Sequence, residues 1–202
     1  MPRKKKGTEN KVKVITGKDA RLFKSLTRIG LINAQQSKNY LNLSLERLYK
    51  LENSGYIETS KRIVRGQNNL IVKLKPKGKD YCRQEFGIFS YCVAQTNHLY
   101  HDLKLSEIFF NIPEKLQDTW KHEGELIKEI YEKFPEQRGN LKNCIDARIE
   151  NDGELIGIES IGSTYSKADI ELKENIAKEF LNCERMERAW VNLLILGEIL
   201  LV

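Results

Sequence analysis

Close cysteine spacing is missing from this chain. Cys82, Cys92, Cys144 and Cys183 never form a Cys-x-x-Cys pair, which excludes the usual zinc site and the dithiol redox motif. They read as reduced core thiols of a cytoplasmic protein. The opening MPRKKKG has none of the apolar stretch of a signal peptide. The one strongly apolar run, Ala189–Val202, is too short to cross a bilayer and contains Glu198. It reads as a final buried strand with a short sticky tail, and no membrane partner is expected. Histidine is scarce, with 3 in the chain. His98 and His101 share a stretch with Asp102, but no further close Cys or His completes a metal site, so neither metal nor cofactor is expected. There is no internal repeat and no low-complexity linker.

What the chain does have is basic charge, unevenly placed. Residues 1–80 hold 20 Lys+Arg against 6 Asp+Glu, a balance of +14, while residues 81–202 hold 14 against 22, a balance of −8. The net +6 therefore hides two opposed blocks, and the first block points to a polyanionic partner. With 40% hydrophobic and 31% charged residues the chain can build a real core, in one large domain or in two of about 80–120 residues.

The basic block has a helical start. Residues 1–15 form a basic arm. Thr16, with Asp19 three positions on, caps a first helix whose Ala20, Leu22, Phe23, Leu26 and Ile29 form a buried stripe ended by Gly30. Asn33 caps a second helix to about Tyr40. Asn42 or Ser44 opens a third, with Leu45, Leu48, Tyr49 and Leu51 facing inward and Gly55 closing it. Strands near Tyr56–Val64 and Asn69–Leu74 flank the turn-forming RGQNN. Three short helices and a hairpin predict a winged helix-turn-helix over residues 16–75. A linking helix opened by Pro76, helical through about Phe86, is assigned to residues 76–94.

The third helix of such a fold presents its N-terminal part to the major groove of DNA. Ser44, Arg47 and Lys50 lie off its apolar stripe, and Arg47 can make two hydrogen bonds to a guanine edge. Arg47→Ala is thus expected to cost about 1–3 kcal/mol of specific binding. Lys38 and Asn39 suit backbone contacts. Lys61, Arg62, Arg65, Gln67 and Asn68 form the wing, and Lys73 extends the positive surface. A helix shaped for a wide groove favours double-stranded DNA over RNA.

Residues 95–202 are expected to form an acidic α/β domain. A helix over 95–110 would bury Leu99, Leu103, Ile108 and Phe109, and a second helix over 124–134 ends at Pro135. Apolar runs at Asn143–Glu150 and Glu154–Ile161 flank Asn151-Asp152-Gly153, a strong hairpin signal. A helix over Lys167–Leu181 then leads to a strand at Ala189–Leu196. Asp146 and Glu159, on strands about a dozen residues apart, resemble the paired carboxylates of the PD-(D/E)XK nuclease core, which hold Mg²⁺ beside a lysine. Here Ile145 replaces the proline and Ile161 the lysine. Lys167 and Lys173 follow on the next helix and are not expected to take that lysine's place. Asp146 and Glu159 are degenerate candidates only, and no hydrolysis is expected.

The winged helix, the linking helix, His101-Asp102-Leu103, Trp120 to Glu123 and the Asp146 strand together resemble the replication-relaxation family of plasmids and integrative elements. The resemblance spans about residues 15–180. It implies a mixed α+β fold with a degenerate restriction-endonuclease-like core. It also implies site-specific DNA binding in replication control or transfer. A winged-helix transcriptional regulator is the alternative, and a metal-dependent nuclease comes third. A homodimer is expected, because one winged helix covers a short stretch of duplex, and another replication or transfer protein is a further candidate partner.

Overall fold

Reciprocal capping boxes open the first two helices. A computed structural model describes residues 11–94, 96–141, 143–162 and 165–190; most of the basic arm and the run beyond Trp190 lie outside these residues. Thr16 and Asp19 exchange side-chain and backbone bonds at the start of α1 (Gly17–Ile29), and Asn33 and Gln36 do so at the start of α2 (Ala34–Leu41). Between them, β1 (Ile32–Asn33) is a two-residue strand that no periodicity reveals. Asn42 adopts the left-handed conformation (φ 51°) and closes α2, so Ser44 alone caps α3 (Leu45–Asn53).

The buried stripe of α3 is narrower than the sequence implied. Leu48 and Leu51 are fully buried, whereas Leu45 is 48% and Tyr49 40% exposed. One turn-length pair fixes which side faces inward, and residues 45 and 49 fall well away from it on the helical wheel. The hairpin that follows, β2 (Ile57–Val64) and β3 (Gln67–Leu74), is also longer than expected. Its turn is only Arg65-Gly66, with φ of 47° and 77°. Positive φ at both central residues matches the twist of the flanking strands, so Gln67 and Asn68 join the ladder instead of the loop. The antiparallel sheet runs β1-β3-β2.

Helix α4 (Pro76–Phe86) stops at Gly87, whose left-handed φ of 65° lets its N–H reach the Arg83 and Cys82 carbonyls. The linking helix therefore ends at Phe86, where the sequence placed its end. Residues 87–94 instead run back along α1, where Cys92 N donates to Thr27 O at 2.8 Å. A Cβ at Gly78 would lie 2.2 Å from the Tyr56 carbonyl oxygen. Gly78→Ala must push α4 away from the Tyr56 backbone and Leu74, and we expect it to cost about 2 kcal/mol, read as a lower denaturant midpoint.

The chain divides into two compact units, residues 1–103 and 104–202. Helix α5 (Leu99–Asn111) begins in the first and continues into the second. The second unit adds α6 (Glu114–Gln117), β4 (Lys121–His122), α7 (Glu123–Lys133), β5 (Ala147–Asn151), β6 (Glu154–Ile161), α8 (Lys167–Leu181) and β7 (Arg185–Trp190). Its sheet runs β4-β5-β6-β7, antiparallel except for the parallel β6–β7 pair. The Asp152-Gly153 turn forms as expected, with φ of 51° and 92°. Residues 143–146 are not strand: Asp146 N donates to a glutamate side chain, and the Asp146 carbonyl accepts from Glu123 N. The strand β7 starts earlier than the apolar run, at Arg185, and among the described residues it lies at the end of the sheet; the rest of the strand expected over 189–196 lies outside the described residues.

Leu126 and Ile130 of α7 pack with Cys144, Ile145, Cys183 and with Ile176, Ala177 and Leu181 of α8. Trp120 is fully buried and meets Phe109 edge-on at 5.3 Å. Cys82, Cys144 and Cys183 are buried and unpaired. Burial pushes the Cys82 and Cys144 thiols up to about 12, which leaves them without thiolate character at neutral pH. Among the described residues no helix is long and apolar enough to cross a membrane.

Candidate nucleic-acid interface and a buried carboxylate–lysine cluster

Most of the basic side chains proposed as contacts lie at the surface of the first unit. Lys38 and Asn39 are exposed on α2, and Ser44 is exposed at the start of α3. Lys61, Arg62, Arg65, Gln67 and Asn68 are exposed along the hairpin, while Lys73 is half-buried. Arg65, at the hairpin tip, stacks its guanidinium 3.6 Å from the centre of the Tyr100 ring, so the tip is braced by a cation–π contact. Lys50 is already paired, its Nζ 2.6 Å from Glu46 Oε1.

Arg47 sits in a different place from the one its helix position implied. Its Nε donates to Asp19 Oδ1 at 3.0 Å and its Nη2 to Asp19 Oδ2 at 2.5 Å. Nη2 also donates to the Val14 carbonyl at 2.8 Å. Burial works to raise the Asp19 carboxyl, but the hydrogen bonds from Arg47 and Thr16 outweigh it and hold the group below the ordinary carboxylate range. Arg47 therefore ties together α1, α3 and the chain before α1. Val12 N adds a bond to Ser54 Oγ at 2.8 Å. These contacts bring the exposed Lys11 and Lys13 alongside α3, and Lys18 Nζ reaches the Asn42 carbonyl at the α2–α3 turn.

In the second unit, Asp146, just before β5, and Glu159 on β6 do come together. Asp146 N donates to Glu159 Oε2 at 3.1 Å, and Ser160 N donates to Asp146 Oδ2 at 2.8 Å. The lysine that the motif lacks arrives from α8. Lys173 Nζ lies 2.6 Å from Glu159 Oε1 and donates to the Cys144 carbonyl at 2.9 Å. Tyr165 Oη donates to the same Glu159 oxygen at 2.8 Å. Glu159 is 1% and Lys173 8% exposed. Burial and the neighbouring Asp146 raise the Glu159 carboxyl, against the pull of Lys173. Burial alone would lower the Lys173 ammonium, but Glu159 and Asp146 reverse this and raise it. The ammonium stays charged, and both Glu159 oxygens are engaged by protein donors.

The expectation that no downstream lysine reaches this site is thus corrected. A sign of it was present: Lys173, Ile176, Ala177 and Leu181 share the buried stripe of α8, and a lysine on such a stripe needs a buried partner. The buried Arg148 is structural. It binds Glu129 through both terminal nitrogens, at 3.2 and 2.8 Å, and the Leu181 carbonyl at 3.0 Å. Burial opposes the Glu129 charge, but Arg148, Lys133 and Lys121 pull its carboxyl down to about 2. His101 Nδ1 is 3.3 Å from Asp102 Oδ1, a local contact. Among the described residues, no group of three or more His, Cys, Asp or Glu is placed to hold a metal ion. No protein-family model, curated protein or solved structure matches the chain.

Proposed function

We propose that the first unit is a winged helix that binds double-stranded DNA, with α3 in the major groove and the β2–β3 hairpin as the wing. One observation carries this reading. The +14 block folds so that Lys38, Lys61 and Arg62 are exposed on the elements flanking α3, with Lys11 and Lys13 drawn in beside it. The order α1, β1, α2, α3, β2, β3 supports the same assignment. Arg47 serves as a brace between α1 and α3 and not as a base reader. The second unit is a nuclease-derived core without hydrolytic activity, supported by its hairpin, crossover helix and parallel strand and by Glu159 oxygens already held by Lys173, Tyr165 and Asp146 N. The His101-Asp102-Leu103, Trp120–Glu123 and Asp146 motifs support a role in replication control or transfer of a mobile element, and the short footprint of one winged helix supports a homodimer.

One experiment tests both units. The full chain is titrated onto random-sequence duplexes at several salt concentrations, with and without Mg²⁺ or Mn²⁺. Affinity is expected to fall steeply with salt, and K61A/R62A to weaken all duplexes alike and lower the salt slope by about 2. Binding indifferent to salt removes the DNA reading. The amine beside two carboxylates favours a second reading, metal-dependent nicking. Cleavage abolished by Asp146→Ala selects it, and intact duplex supports the first.

A further inference from the structure

The outward face of α3 carries an unusual set of side chains for a helix framed by cations. Its two basic residues are both engaged within the protein, Arg47 by Asp19 and Lys50 by Glu46. What the helix offers to solvent is Leu45 and Tyr49, spaced i and i+4 on one side, with Glu46 between them. Leu48 and Leu51 already supply the inward face, so the core does not need the outer pair. Charge around this apolar face is complementary to phosphate: Lys11 and Lys13 beside α3, Lys18 at the α2–α3 turn and Lys38 on α2.

We propose that α3 reads thymine 5-methyl groups in the major groove through Leu45 and Tyr49, and so selects A·T-rich sites without a guanine-reading arginine. The inference rests on the DNA-binding reading of the first unit. The major groove distinguishes thymine by the only apolar group on any base edge, and apolar side chains are its complement. Guanine is read chiefly by bidentate Arg or Lys; Arg47 is held by the buried Asp19, and Lys50 carries a surface i,i+4 pair with Glu46 that a guanine contact must displace. The surrounding lysines position the helix on the backbone and carry no base information.

The test uses the full chain and duplexes recovered by selection from a random-sequence pool, resynthesised with deoxyuridine in place of thymidine. That exchange removes the methyl and leaves the pairing edges intact. Wild-type affinity is expected to drop about four-fold for each contacted methyl removed, the worth of one buried carbon. L45A/Y49A should keep its melting temperature, should bind thymidine duplexes more weakly than the wild type does, and should bind thymidine and deoxyuridine duplexes equally. Equal wild-type affinity for the two duplexes overturns the methyl reading, as does a double variant that discriminates like the wild type. Absence of any salt-sensitive duplex binding overturns the underlying DNA-binding reading instead, which keeps the two failures distinct.

Discussion

Lys173→Met will destabilise the second unit by about 3–5 kcal/mol at pH 8, because it leaves the Glu159 carboxylate buried without its ammonium partner. The deficit will depend on pH in a definite direction. Glu159 is already raised in the folded protein by burial and Asp146, and losing Lys173 removes an interaction that lowers it. A carboxyl with a raised folded pKa binds its proton more tightly when folded, so stability falls as pH climbs from the ordinary carboxylate range toward the raised value. Below that range the group is neutral in both states and this penalty vanishes. Denaturant unfolding of Lys173→Met at pH 5 and pH 8 will show the smaller loss at pH 5. The double variant E159Q/K173M removes both charges and should recover most of the stability, since a neutral pair of similar volume often matches a buried ion pair. A single variant as stable as the wild type, or a double variant less stable than the single, would contradict the role assigned to this pair.

Arg47→Met is the second large effect. Asp19 is fully buried, and Arg47 supplies two of its hydrogen bonds. The expected loss is about 3 kcal/mol, the low end for a buried pair, because the Arg47 side chain keeps 24% of its surface in water. The pH signature is opposite to that of Glu159 in the wild type. Asp19 is held below its ordinary range, so its contribution is complete above that range and disappears as pH falls through the depressed value. Without Arg47 the buried carboxyl is pushed upward, and acidification should stabilise the variant. On the proposed DNA-binding reading, Arg47→Met should keep the site preference of the wild type at temperatures where it remains folded. A variant with unchanged melting but lost preference would return Arg47 to the base-reading face.

Local chemistry made most of the first unit readable. Thr16, Asn33 and Pro76 mark helix starts by side-chain and ring geometry that acts within a few residues, and Asp152-Gly153 sets a hairpin the same way. The failures required partners far along the chain. Leu45 and Tyr49 look like core residues until Leu48 and Leu51 claim the inward direction. Asp19 reads as a capping residue, and its bond to Arg47 spans 28 positions. Asp146 and Glu159 were visible as carboxylates on neighbouring runs, but the lysine came from a helix outside the motif's spacing. The start of β7 at Arg185 was hidden because Arg185, Glu187 and Arg188 carry charge, while the expected strand over 189–196 lies beyond Trp190 for the most part, outside the described residues.

Both tryptophans of the chain, Trp120 and Trp190, belong to the second unit, and Trp120 is sealed from solvent with its indole N–H unpartnered. Intrinsic indole emission consequently reports on that half of the molecule alone, while the other half must be followed through tyrosine or far-ultraviolet dichroism. The chain thus carries its own optical label for deciding which half melts first, and no dye need be attached to find out.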